Sequence, residues 1–314
     1  MSNACFLYSM RTMEFRNIIC WTLCLLVPQF SASNSHDGKF PSWDTENPAQ
    51  DWETGWSYKS GEVGGPETWG TILSATTNKP VWPLCQIGHQ QSPIDIQTER
   101  LLFDHTLKTF RITGSDEQLE FIVQNVGQDL QLSFLSNQVF LTGGPLSYYY
   151  QIFSARIKFG SASSKGSDHR IDGRSSPGEL GNTSNKDLVG IVAAAEKTIF
   201  KGETFQLRGV EMRSLLSSTK EFITYQGSLP FPGCYETVTW IILNHPILIS
   251  PAELKTLRRL RVAQTLWSGS MADNFRPIQP LNNRSIRTNI NFDTTTLDCT
   301  MRKHVSYIAN LSGT

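Results

Sequence analysis

Histidine is the first residue type to weigh, because a neutral imidazole can hold a metal or move a proton near neutral pH. The chain has 6: His36, His89, His105, His169, His245 and His304. None stands at ligand spacing from another, so no metal site can be read from them. His169 follows Asp168 and reads as a structural, hydrogen-bonded imidazole, while His89 and His105 read as loop residues. Nucleophilic chemistry fares no better, since neither a Gly-x-Ser-x-Gly elbow nor a His-Glu-x-x-His motif occurs. Gly160-Ser161 and Gly202-Glu203 lack the glycine spacing of a phosphate loop.

The 6 cysteines depend on compartment for their meaning. Residues 1–33 read as an export signal: Arg11 and Arg16 supply positive charge, Ile18 to Val27 an apolar core, and Ser31-Ala32-Ser33 small residues for cleavage. The alternative is an uncleaved anchor, but the apolar run is far shorter than the ~20 residues a span needs. Cys5, Cys20 and Cys24 would leave with the signal. Cys85, Cys234 and Cys299 would then face an oxidising compartment, where one of the three must stay free or bond to another molecule. Sequons at Asn182, Asn283 and Asn310 agree with export and predict glycosylation. The final residues, Ile308 to Thr314, are too short and polar for a lipid-anchor tail.

Lys plus Arg number 28, as do Asp plus Glu, so nothing in the total charge favours nucleic acid or an anionic membrane. Residues 34–51 are polar, carry Pro41 and Pro48, and read as a flexible lead-in. One domain is expected over 52–292, followed by a polar tail at 293–314. Strand-like alternation recurs at 119–124, 130–134 and 238–243. Helices are fewer. One is expected over 188–195, another over 251–260 with Ser250 as its cap and Pro251 in its first turn. The stretch 161–184 is rich in Ser, Gly and charge and reads as an exposed loop. No repeat of fixed period occurs.

Six blocks in order then resemble the α-carbonic anhydrases. They are Gly65-Pro66-Glu67-Thr68-Trp69, Gln91-Ser92-Pro93-Ile94-Asp95-Ile96, Gly166 to Gly173, Gly178-Glu179-Leu180, Gly227-Ser228-Leu229-Pro230 and Asn274 to Asn282. Cys234-Tyr235-Glu236-Thr237 and Asn283 to Phe292 look closer still to the secreted carbonic anhydrase-related branch, types ten and eleven. The resemblance implies a mainly β fold: a large, twisted, mostly antiparallel sheet with short surface helices. It implies that Trp69, Trp240 and Phe275 fill the core, and that Cys85 and Cys234 form the disulfide of extracellular members. Cys299 is then the odd thiol, either inert or bonded to a second chain as a disulfide-linked dimer.

Catalysis in that family uses a zinc held by three imidazoles with an open place for water. Two ligands lie two residues apart on one strand. Those positions hold Arg156 and Lys158 here. A guanidinium has no lone pair to give, Lys would have to shed its proton beside another cation, and two positive charges repel a dication. The third ligand strand is expected to be missing. Leu180 runs into Gly181 to Val189, which resembles a later loop and helix, so about two internal strands are skipped, through a skipped exon or an incomplete gene model. Other positions are changed as well. Gln128 stands at the proton-relay His, Pro230 at the Thr that orients the zinc hydroxide, Phe231 where substrate enters, and Asp168 at that Thr's Glu partner. Tyr58 is retained.

The expectation is a secreted, zinc-free, acatalytic carbonic anhydrase-related protein. By the same resemblance it serves as an extracellular binding or adhesion partner, with neurexin-type receptors as the example. The alternatives are a carbonate dehydratase with residual activity and a defective product that does not fold.

Overall fold

Alternation at period two builds the first sheet. The computed structural model describes residues 55–114, 118–135, 139–175, 179–180, 185–216, 219–244 and 247–291. The export signal, the lead-in, His36, His245, His304, Asn182, Asn310, Cys299 and the tail lie outside the described residues. Its strands are β1 (Asp95–Ile96), β2 (Leu102–Phe103), β3 (Phe110–Thr113), β4 (Gln118–Asn125), β5 (Leu130–Phe134), β6 (Phe140–Gly143), β7 (Tyr150–Gln151) and β8 (Ser154–Ile157). They continue as β9 (Arg170–Ile171), β10 (Glu179–Leu180), β11 (Thr204–Glu211), β12 (Phe222–Gly227), β13 (Val238–Leu243), β14 (Leu248–Ile249) and β15 (Arg287–Thr288).

In β4, Leu119, Phe121 and Val123 are buried, and each neighbour on the other face is less so. β5 and β8 add Leu130, Leu132, Ala155 and Ile157 to the same core. Asn185 caps the helix Lys186–Ala195 by accepting from the Asp187 and Leu188 amides, and that helix sends Leu188, Ile191 and Val192 into this core. The helix Pro251–Leu257 is fixed by a full capping box between Ser250 and Glu253. It ends three residues short of the expected Leu260, which is buried in the turn that follows. A second core gathers Trp56, Tyr58, Trp69, Ile94, Ile96, Tyr225, Phe231 and Trp240. Trp69 and Trp240 fill it as expected, but Phe275 is only half-buried. Its neighbour Arg276 takes the interior instead, 2% exposed, because three of its guanidinium hydrogen bonds go to Gln91, Ser92 and Cys85.

The fold is mainly β, as expected, but the large sheet comes in sections. One four-stranded sheet runs β11-β4-β5-β8 and another runs β13-β12-β15-β2. The first is antiparallel throughout; the second turns parallel only between β15 and β2. β8 and β13 are therefore terminal strands of separate sheets. β10 pairs instead with β14, in parallel. A three-stranded sheet, β3-β6-β7, and the pair β1-β9 complete the described strands.

Candidate functional site

The same alternation that buries Ala155 and Ile157 turns Arg156 to the opposite face, and Lys158 follows it just past the strand. β5 pairs with β8 so that Leu130 lies across from Ile157 and Gln131 across from Arg156. One step further along that register sets Asp129 against Lys158. Four side chains, Asp129, Gln131, Arg156 and Lys158, thus share the face away from the first core.

Asp129 is fully buried and is the centre of the cluster. Its Oδ1 accepts from Lys158 Nζ at 2.7 Å and from Asn274 Nδ2 at 3.1 Å. Its Oδ2 accepts from Arg156 Nη1 at 3.3 Å and from the Tyr58 hydroxyl at 3.3 Å. Lys158 also donates to Tyr58 Oη at 2.8 Å, and its ammonium lies 4.3 Å from the Tyr58 ring centroid. Burial, then the Asp129 and Asp168 carboxylates, push the Tyr58 hydroxyl well above the usual tyrosine range, against a smaller opposing pull from Arg156. The phenol therefore stays protonated. Asn274 binds the end of β8 much as a neighbouring strand would, donating to the Ile157 carbonyl at 2.9 Å and accepting from the Phe159 amide at 2.9 Å.

Arg156 closes the cluster on its outer side. Its guanidinium carbon sits 3.9 Å from the Phe231 ring centroid. Phe231 is 2% exposed, so the aromatic ring packs against the site instead of lining an open entrance. Pro230 is buried beside it and offers neither hydroxyl nor N–H. Gln128 is half-buried and donates to the Trp56 carbonyl at 3.2 Å; an amide does not titrate near neutral pH. Asp168 is buried and accepts the Arg276 amide at 3.4 Å. Burial pulls the Arg276 guanidinium down to about 10, partly offset by Tyr58, Asp168 and Glu236.

A divalent zinc does not fit this donor set. Arg156 and Lys158 carry charge of the wrong sign, and the one carboxylate among them already serves both. Among the described residues, no group of three or more His, Cys, Asp or Glu is placed to hold a metal. His169 stands apart, with Nε2 2.6 Å from the Tyr225 hydroxyl, which is also 2.9 Å from Ser92 Oγ. His89 and His105 occupy exposed turns.

Cys85 and Cys234 are disulfide-bonded across a separation of 149 residues, with Cα atoms 5.0 Å apart. Asn283 is exposed. Among the described residues, no helix is long and apolar enough to cross a membrane. Asp129 and Asn274 are the residues that sequence reasoning passed over as members of the site. The available signal was charge balance: two cations on one inward face require an anion within reach.

The family model for eukaryotic-type carbonic anhydrase matches residues 65–182 and 179–290. The two stretches overlap at residues 179–182, around the point after Leu180 where the sequence suggested that a piece is skipped. The chain is also 31% identical over 268 residues to "Putative carbonic anhydrase-like protein 2" of Caenorhabditis elegans, a match that covers 72% of this chain and 77% of the relative. A match of 268 positions against 72% of a 314-residue chain, about 226 residues, leaves about 42 positions of the relative without a counterpart here.

Proposed function

Since this chain belongs to the eukaryotic-type carbonic anhydrase family, we propose that it is a member without carbon dioxide hydration, secreted and acting as an extracellular binding partner. The observation that carries this reading is the Asp129 carboxylate held by Lys158 at 2.7 Å and Arg156 at 3.3 Å, where two zinc-binding imidazoles would be needed. Zinc catalysis depends on neutral or anionic donors and a metal-bound water near neutral pH. An ion pair is already satisfied without a metal, and admitting one would expose two like charges to it.

The binding half of the proposal is supported by what remains: the family's scaffold, the Cys85–Cys234 bond of an oxidising compartment, and an exposed sequon at Asn283. A neurexin-type receptor is the partner class we assign on family likeness, with Cys299 as the thiol for a covalent dimer. Elemental analysis and stopped-flow hydration of the full chain from secreting cells test the enzymatic half. The expected result is far less than one zinc per chain and no acceleration over buffer. Stoichiometric zinc together with hydration overturns it.

The divided sheet favours a second reading, in which the chain is an incomplete product. Terminal strands β8 and β13 each lack a second ladder partner among the described strands, and such edges invite aggregation. Retention inside the secreting cell supports that reading; secretion with one sharp melting transition defeats it.

A further inference from the structure

The cluster at β8 holds more positive charge than it neutralises. Asp129 is shared by Lys158 and Arg156. Asp168, the other carboxylate acting on Tyr58, is directed with Glu236 at Arg276, whose amide it accepts. In direct contact, one carboxylate therefore faces two cations. The surplus is centred on Arg156, whose side chain is 17% exposed while that of Lys158 is 2% exposed. A guanidinium has five N–H donors in a planar fork. Arg156 spends one of them on Asp129, and none of the others donates to a partner among the described residues. Phe231 covers one face of the plane at 3.9 Å, which leaves the in-plane N–H edge as the route for contact. A half-buried cation with unspent donors and an apolar wall is poorly hydrated, and an anion bound there meets less competition from water.

We propose that Arg156, backed by Lys158 and walled by Phe231, is a metal-free receptor for one carboxylate group. The inference rests on the zinc-free reading of the site. Carboxylate suits the fork because its two oxygens match two parallel N–H groups. The group could arrive as a small free anion or as a Glu or Asp side chain of a bound protein; the chemistry is the same.

The probe is sodium acetate, titrated into chelator-treated full-length protein by calorimetry and thermal melting, with sodium chloride at equal ionic strength as reference. At ten times its dissociation constant, acetate should raise the melting temperature by about 3 °C or more. Arg156→Gln should weaken acetate at least about tenfold, the loss expected for a charge-assisted hydrogen bond. Arg156→Lys keeps the charge without the fork and should fall between the two. If Arg156→Gln fails to fold, the Lys variant decides alone. Arg208→Gln, on exposed β11, should behave as wild type. A blocked Gly-Glu-Gly peptide, whose only carboxylate is its side chain, separates the sources. Binding of both probes assigns the site to a partner's side chain as well as free anions, and binding of acetate alone assigns it to free anions. Equal acetate response in wild type and both Arg156 variants, or no response in any, overturns the proposal. Zinc measured in the same sample before chelation bears on the non-catalytic reading separately, because the acetate result is obtained without metal.

Discussion

Two of the polar clusters buried among the described residues meet the cost of burial by opposite means. Around Asp129, charges are kept and paired: one carboxylate, two cations, a protonated phenol and an amide. Around Tyr225, the hydrogen-bonding partners are neutral, and the nearby cation, Arg284, stays over the ring face with its guanidinium carbon 5.4 Å from the centroid. Tyr225 contacts Ser92 and His169, Ser92 Oγ accepts the Ser228 amide at 3.0 Å, and the His169 ring lies 4.5 Å from Trp240. Burial, helped by the Arg284 charge, pulls the His169 imidazole down to about 3, so it is neutral wherever the protein is folded at ordinary pH. The lesson is that an interior tolerates either ions that share a counter-charge or neutral groups that share hydrogen bonds, and each fails differently when one member is lost.

The largest effect should come from opening the ionic set. Asp129→Asn strands Lys158 and Arg156 without a counter-charge and should cost about 3–5 kcal/mol in urea unfolding. Adding Lys158→Met should return a good part of that loss. If Asp129→Asn unfolds like wild type, the ionic cluster is not the organising feature of this face.

Acid should separate the two clusters next. The unfolded imidazole takes up a proton below about 6.5, while folded His169 refuses it until about 3. Stability is therefore full above the unfolded value and falls as pH drops between the two, because the unfolded state gains a proton that the native state does not. The loss from this residue alone should reach about 2 kcal/mol at pH 5. His169→Gln should remove that component of the slope, measured by urea unfolding at pH 7 and pH 5.

The smallest effect is expected on the surface. Arg208 and Glu120 pair at 3.3 Å between β11 and β4, with side chains 68% and 42% exposed. Arg208→Ala should change stability by less than about 1 kcal/mol, since solvent screens both charges. A loss as large as that of Asp129→Asn would mean that burial is not what distinguishes the pairs.

Local patterns carried much of this into view early. The strands expected at 130–134 and 238–243 have those bounds, and 119–124 is one residue longer at each end. The resemblance set Arg156 and Lys158 two residues apart on one strand, and alternation then placed both on one face. Their anion was hidden, because Asp129 lies 27 and 29 residues away in sequence and sits beside Gln128 at the end of a turn, where a carboxylate looks solvated. Tyr58 is 100 residues from Lys158, and no local period can report such a contact. The division of the sheet was legible only as a break in family order after Leu180; which strands would end the two sheets depends on pairing at long range. Phe275 was misjudged because burial was assigned by residue type, whereas the hydrogen-bond acceptors around Arg276 drew the neighbouring side chain inward.

The bond between Cys85 and Cys234 makes a covalent ring of the chain between them. The junction at residues 179–182 lies inside that ring. Residues gained or lost there alter its circumference and leave the knot that closes it in place. A single backbone cut within the ring likewise yields two fragments that travel together until a reductant parts them.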